Sequence, residues 1–161
     1  MSRWQSRLQE LVRISGELPE PLNSIFSASK PLKSPWPAQL PSNPTLQEFY
    51  RICNGGRLGG NVYDWLPRKK LAGETASLKE WLGDVGGGSE APQQFLVLAQ
   101  DDYGDLVWDV GEDRISSYCS NGDCWWHFEQ SLEQFLESLF DPECAQGRLA
   151  KEWEEALRRC S

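Results

Sequence analysis

The sequence lacks a long apolar run, and it has few histidines and few positive charges. None of its segments approaches the roughly 18 consecutive apolar residues of a membrane-spanning helix. The start MSRWQSRLQE also lacks the apolar stretch of a signal peptide. These absences, together with a length of 161 residues, predict a cytoplasmic protein with one domain over 1–161 and no membrane partner.

The single histidine, His127, limits the catalytic alternatives. A Ser-His or Cys-His arrangement would have to use it, yet the chain carries no G-x-S-x-G motif. It also has no P-loop, and GGRLGGN lacks the strand, helix and downstream acid of a dinucleotide fingerprint. We therefore expect no enzyme activity, no catalytic residue and no cofactor.

Negative charge dominates, with a formal net charge of -8 at pH 7. Residues 84–124 alone carry nine acidic side chains against one base, Arg114. Such a concentration repels phosphate backbones and attracts basic proteins. It predicts a basic protein partner and no nucleic-acid binding, although an acidic surface also serves solubility alone.

Five cysteines form no regular framework. In YCSNGDCWWHF, Asn121-Gly122 predicts a type I′ hairpin turn that places Cys119 opposite Cys124. Three interpretations stay open there: a redox disulfide, part of a zinc site with His127, or two reduced thiols. A zinc site needs a fourth ligand that no spacing supplies, so reduced thiols and no metal are the favoured interpretation.

The same hairpin register divides the flanking side chains between two faces. Ser117 and Trp126 lie on the face that we expect to be core. Tyr118, Trp125 and His127 lie on the other face, which suits a covering helix or a partner.

Helical periodicity and caps predict helices near 4–12, 45–53, 75–82, 131–139 and 147–160. Thr45 with Glu48 and Ser131 with Gln134 have capping-box spacing. Leu78, Trp81 and Leu82 form the predicted inner face of the third helix. Alternation and turn signals predict five strands, NVYDWLP, QFLVLAQ, DLVWDV, RISSYC and CWWHF. The connections between the last four are too short for parallel crossovers, which predicts an antiparallel meander. A proline-rich leader over 16–44 precedes this part, and a helical extension over 143–160 follows it.

The segment LAQDDYGDLVWD gathers three carboxylates around Gly104. It fails the calcium-loop pattern, because Tyr103 stands where an oxygen ligand is required. Paired carboxylates also serve glycoside hydrolysis, but nothing in the sequence places them across a sugar cleft. We therefore expect a hairpin turn whose tip, Asp101 to Tyr103, is free to contact a partner.

The order of LPSNPTLQEFYRICNGG, FLVLAQDDYGDLVWDV and HFEQSLEQFLESL resembles the SUKH superfamily, the Smi/Knr-type domain, over roughly 40–139. The resemblance implies an α+β fold with a twisted, mainly antiparallel sheet flanked by helices, and no enzyme activity. Many bacterial members are immunity proteins that neutralise toxins, often nucleases, whereas eukaryotic members are regulatory modules. The residues that match the family motif are Asn54, Gly55, Gly56, Gly104, Asp105 and Asp109. The acidic and aromatic tip departs from the usual glycine-rich turn.

The leading hypothesis is an immunity protein that binds a basic, nuclease-type toxin. The predicted partner-binding residues are Asp101, Asp102, Tyr103, Asp105, Trp65, Tyr118 and Trp125. The alternatives are a cytosolic regulatory scaffold that recruits an endogenous partner and, less favoured, a metal-dependent hydrolase built on DDYGD.

Overall fold

The computed structural model describes residues 1–20, 22–58, 63–86, 90–141, 143–144, 154 and 158–159. The helices are α1 (Arg3–Ile14), α2 (Leu22–Ile25), α3 (Pro44–Ile52), α4 (Leu71–Val85) and α5 (Leu132–Leu139). The strands are β1 (Phe26–Ala28), β2 (Gly56–Leu58), β3 (Asp64–Trp65), β4 (Phe95–Gln100), β5 (Gly104–Asp109), β6 (Arg114–Cys119) and β7 (Cys124–His127). Among these residues no helix has the length and apolarity needed to cross a membrane.

The seven strands form one antiparallel sheet in the order of the chain, from β1 to β7. Helix α3 lies between β1 and β2 in sequence, and α4 lies between β3 and β4. The predicted α+β class and the antiparallel meander of the last four strands are confirmed.

Helices cover both faces of this sheet. On one face α4 packs along β4, where the Thr75 hydroxyl accepts a hydrogen bond from the backbone N–H of Val97 at 2.9 Å. On the other face Trp65 of β3 lies against Phe49 of α3 and Phe135 of α5, with ring centroids 5.1 and 6.3 Å apart. The sheet is therefore the middle layer of three.

The helix starts depend on polar caps, and one of the two predicted caps is wrong. Helix α5 has the expected capping box between Ser131 and Gln134. Helix α3 is capped by Asn43 instead of Thr45, because the Asn43 side chain accepts from the N–H of Leu46 at 2.7 Å. With a proline at the first helical position, Asn43 is the better-placed oxygen acceptor.

The β6–β7 turn is not of type I′, because neither Asn121 nor Gly122 has a positive φ. The turn covers four residues, and the left-handed position is Asp123, with φ of 45°. The predicted register is nevertheless confirmed, and Cys119 pairs with Cys124. A two-residue and a four-residue loop centred on the same pair differ by one residue on each side, so both preserve the pairing of the strands.

The hydrophobic core includes residues that precede the range 40–139 of the family resemblance. Trp4, Leu8 and Leu11 of α1 are at most 1% exposed and belong to the same cluster as the sheet residues. The proline-rich leader contributes α2 and the edge strand β1. The predicted extension over 143–160 lies outside the described residues apart from 143–144, 154 and 158–159.

Candidate protein-binding surface

The β4–β5 hairpin ends in a short projecting turn, as predicted. One oxygen of Asp101, Oδ1, accepts hydrogen bonds from the N–H groups of Tyr103 and Gly104, both at 2.8 Å. Asp102 is exposed, and Tyr103 is 65% exposed. Asp101 therefore fixes the turn, whereas Asp102 and Tyr103 are free to contact another molecule. We call residues 101–103 the tip.

Gly104 is required by the close approach of the next strand. A Cβ at this position would lie 1.8 Å from the carbonyl oxygen of Tyr118 on β6. The tip is also joined to the β6–β7 turn, because the N–H of Ser120 donates to the carbonyl of Tyr103 at 3.1 Å. The tip is therefore tied to β6 as well as to its own hairpin.

A row of cross-strand neighbours runs over all seven strands on the α4 face of the sheet. We call it the polar row, and its members are Ser27, Arg57, Asp64, Gln100, Asp105, Tyr118 and Trp125. Directly paired residues in a sheet point to the same face. Within the row, Arg57 Nε donates to Asp64 Oδ1 at 3.0 Å and Gln100 Nε2 donates to Asp105 Oδ1 at 2.8 Å. The structure thus brings together three predicted contact residues, at 105, 118 and 125.

A pocket of about 280 Å³ opens between α4 and this row. Two carboxylates line it, and Gln100 Nε2 donates to both, to Glu74 Oε2 at 3.0 Å and to Asp105 Oδ1 at 2.8 Å. In the described part of the chain neither carboxylate forms an ion pair with an arginine or lysine. Burial raises the pKa of Asp105, the Gln100 hydrogen bond opposes this shift, and the charges of Glu74 and Asp101 add to it. Two acidic side chains and no basic one therefore line the pocket.

A larger cleft of about 1120 Å³ lies beside the tip. The tip residues line it together with Asp64, and the basic side chains of Arg57 and Lys70 line it as well. Arg57 is engaged by Asp64. The cleft is thus mixed in charge, whereas acidic side chains line the pocket without a basic one.

Two of the predicted contact aromatics are not on the surface. Trp65 is 3% exposed and belongs to the opposite, core face of the sheet, and Tyr118 is 0% exposed. The Tyr118 hydroxyl donates to Asp123 Oδ1 at 2.5 Å and accepts from Trp81 Nε1 at 3.1 Å. Helix α4 covers Tyr118, which is one of the two alternatives expected for this face, and neither ring is exposed as a partner contact would require. Trp125 remains half-buried against Tyr118.

Two exposed tryptophans are missing from the predicted set. Trp81 was expected to face inward but is 45% exposed at the pocket. Trp126 was expected in the core but is 67% exposed. Trp126 lies on the last strand of the sheet, which has a neighbour on one side only. Hydropathy alone gave no signal for either position, because tryptophan fits a core equally well.

The residues that carry the family resemblance hold turns and strand ends in place. Asn54 Oδ1 accepts from the N–H of Arg68 at 2.9 Å, which ties the end of α3 to the segment after β3. Gly55 and Gly56 have φ of 86° and 134°, and a Cβ on either would lie within 2.4 Å of a neighbouring strand's carbonyl oxygen. Asp109 Oδ1 accepts two backbone N–H groups of the β5–β6 turn.

His127 has a serine partner across the strand pair, since Ser116 Oγ lies 2.7 Å from its Nδ1. Ser116 is 3% exposed, and within the described ranges no carboxylate is hydrogen-bonded to His127. The contact therefore lacks the accessible nucleophile and the orienting acid of a catalytic triad. Cys119 and Cys124 are both free thiols. Among the residues that the structure describes, no group of three His, Cys, Asp or Glu side chains could hold a metal ion.

Comparison of the chain with protein-family models, with curated proteins and with solved structures gives no match.

Proposed function

We propose that this protein is a non-enzymatic binding module of the immunity type, which binds and neutralises a basic protein toxin. The observation that carries the proposal is the tip. Asp101 is used to fix the turn, and Asp102 and Tyr103 are left exposed beside a pocket whose two carboxylates have no cationic partner in the described part of the chain.

The chemistry of this surface favours a cationic protein. An acidic patch accelerates the association of a basic partner, and aromatic side chains at the centre of an interface supply binding free energy. Tyr103 at the tip and Trp81 at the pocket are both exposed aromatics. A partner arginine or lysine that enters the pocket replaces the neutral Gln100 amide as the neighbour of Glu74 and Asp105.

The resemblance to the SUKH superfamily supports the same function, because many members neutralise toxins. A regulatory scaffold uses the same kind of surface for an endogenous protein. The gene next to this one separates the two roles, since immunity genes adjoin the gene of their toxin. The neighbouring gene product is therefore the partner to test first.

The test measures the association rate of that product with the wild type and with Asp102→Lys, over a range of salt concentrations. We expect the substitution to lower the rate about tenfold at low salt and to flatten the salt dependence, because Asp102 is an exposed steering charge.

Glu112→Lys is the matched control. Glu112 is exposed in the β5–β6 turn, at the opposite end of β5 from the tip, and the charge change is the same. We expect it to retain most of the wild-type rate. Equal effects of the two substitutions, or no effect of either, would contradict the tip as the contact surface. No binding by the neighbouring product would contradict the immunity role.

A further inference from the structure

A basic groove lies on the α1 and α3 side of the molecule. Its volume is about 710 Å³, and it shares no lining residue with the pocket or the cleft near the tip. The last turns of α1 and α3 and the segment after β1 form its walls. The lining residues are Val12, Arg13, Lys30, Pro31, Leu32, Lys33 and Arg51.

The groove is the reverse of the tip in charge. It carries four basic side chains and no acidic one, although the whole chain has 16 bases against 24 acids. Arg51 is engaged by Glu48, with contacts of 2.5 and 2.8 Å. Arg13, Lys30 and Lys33 are exposed and form no ion pair with any described residue. Three positive charges are therefore available to a ligand.

Stabilisation of helix ends explains only part of this cluster. Arg13 and Arg51 lie in the last turns of α1 and α3, where a cation interacts favourably with the helix dipole. Lys30 and Lys33 lie in neither a helix nor a strand. Between the charges, Val12 and Leu32 are half-buried and offer apolar surface.

We propose that this groove binds an acidic segment of a protein that also carries apolar side chains. Charge complementarity sets the sign of the ligand, and the apolar residues between the charges favour a peptide over a phosphate backbone. The net charge of -8 adds repulsion against a long polyanion such as RNA. This second surface is independent of the basic partner proposed for the tip.

The test uses the full chain labelled with nitrogen-15 and the capped hexapeptide Glu-Leu-Glu-Glu-Leu-Glu as the probe. Saturable amide shifts are expected at residues 12–13, 30–33 and 51. The double substitution Lys30→Glu with Lys33→Glu should weaken binding about tenfold, because two attractive charges become repulsive. Both lysines are exposed, and the variant's own spectrum reports whether it is folded.

The matched control is Lys69→Glu with Lys70→Glu, which changes the net charge equally at two exposed lysines outside the groove. It should bind the peptide with near wild-type affinity. Four results overturn the proposal: no shifts in the groove, equal binding of a peptide with serine in place of leucine, tighter binding of a thymidine hexanucleotide, or the same shifts on concentrating the protein without peptide. The third identifies a nucleic-acid site, and the fourth identifies a second copy of this chain.

Discussion

The two faces of the seven-stranded sheet differ in their side chains and in what covers them. The polar row on the α4 face alternates with a second row on the other face, which we call the core row. Its members are Ala28, Gly56, Trp65, Ala99, Leu106, Ser117 and Trp126. Helices α3 and α5 cover the middle of the core row, whereas the tip end of the polar row stays open to the pocket and the cleft.

The two rows differ in how far their side chains can change without loss of stability. Core-row residues such as Trp65, Ala99 and Leu106 are at most 3% exposed, and changes there act on stability. Arg57 and Asp64 of the polar row are exposed, so other polar side chains at these positions would be equally well solvated. These exposed members of the polar row can therefore change to suit a partner at little cost to the fold, whereas the buried Tyr118 cannot.

The sharpest contrast is expected between the two neighbouring residues of β3. Trp65→Ala should lower the free energy of unfolding by about 3–5 kcal/mol, because it removes a buried ring that packs between α3 and α5. Asp64→Ala should cost at most about 1 kcal/mol, because it breaks one exposed ion pair. Urea unfolding of both variants measures the difference. Equal losses would show that the two rows do not differ as described.

The second contrast concerns two glycines. Gly104→Ala should destabilise the protein by about 3 kcal/mol, because its Cβ would lie 1.8 Å from a backbone oxygen of Tyr118. Gly73→Ala in α4 should stabilise it by up to about 1 kcal/mol, because nothing lies within 4 Å and alanine is the better helix former. Thermal unfolding distinguishes the two signs. A Gly104→Ala variant as stable as wild type would show that β5 and β6 are farther apart at the tip.

The smallest expected effect is a pH-dependent one in the polar row. Burial raises the pKa of Asp105 above its ordinary value of 3.8, so the folded state keeps this proton at a pH where the unfolded chain has lost it. The stabilisation of the folded state by this retained proton is fully present below the pKa of Asp105 in the unfolded chain. It is lost as the pH rises through the pKa of Asp105 in the folded state. Asp105→Asn should therefore gain stability relative to wild type between pH 3 and pH 7, by less than about 1 kcal/mol because the side chain is part-exposed.

Unfolding of wild type and Asp105→Asn at both pH values checks this. A gain that shrinks as the pH rises would contradict the burial of Asp105. Because the same carboxylate lines the proposed contact surface, Asp105→Asn should also weaken partner binding while it stabilises the fold.

Local pattern predicted the strands of the second half and their register well. Alternation and turn spacing placed Cys119 opposite Cys124, and the four-residue turn preserved that pairing. The pattern divides a strand into two faces but does not say which face a helix covers. It therefore leaves open whether a helix or a partner covers Tyr118, and it wrongly predicts Trp126 in the core.

The polar row itself could not be predicted, because it joins strands separated by α3 and α4. Its members come together only through pairings such as Asp64 with Gln100. A two-residue strand such as β3 has too few positions to show alternation, so the sequence does not indicate that Trp65 lies on the core face. Glu74 has no motif around it and becomes part of the site only when α4 packs on the sheet.

The most direct test of the tip and the pocket as the binding surface is hydrogen exchange of the protein with and without the neighbouring gene product. We expect slowed exchange at residues 100–105 and along α4 in the complex, with no change at α1 and α3. Slowed exchange confined to α1, α3 and the segment after β1, with an unchanged tip, would contradict it.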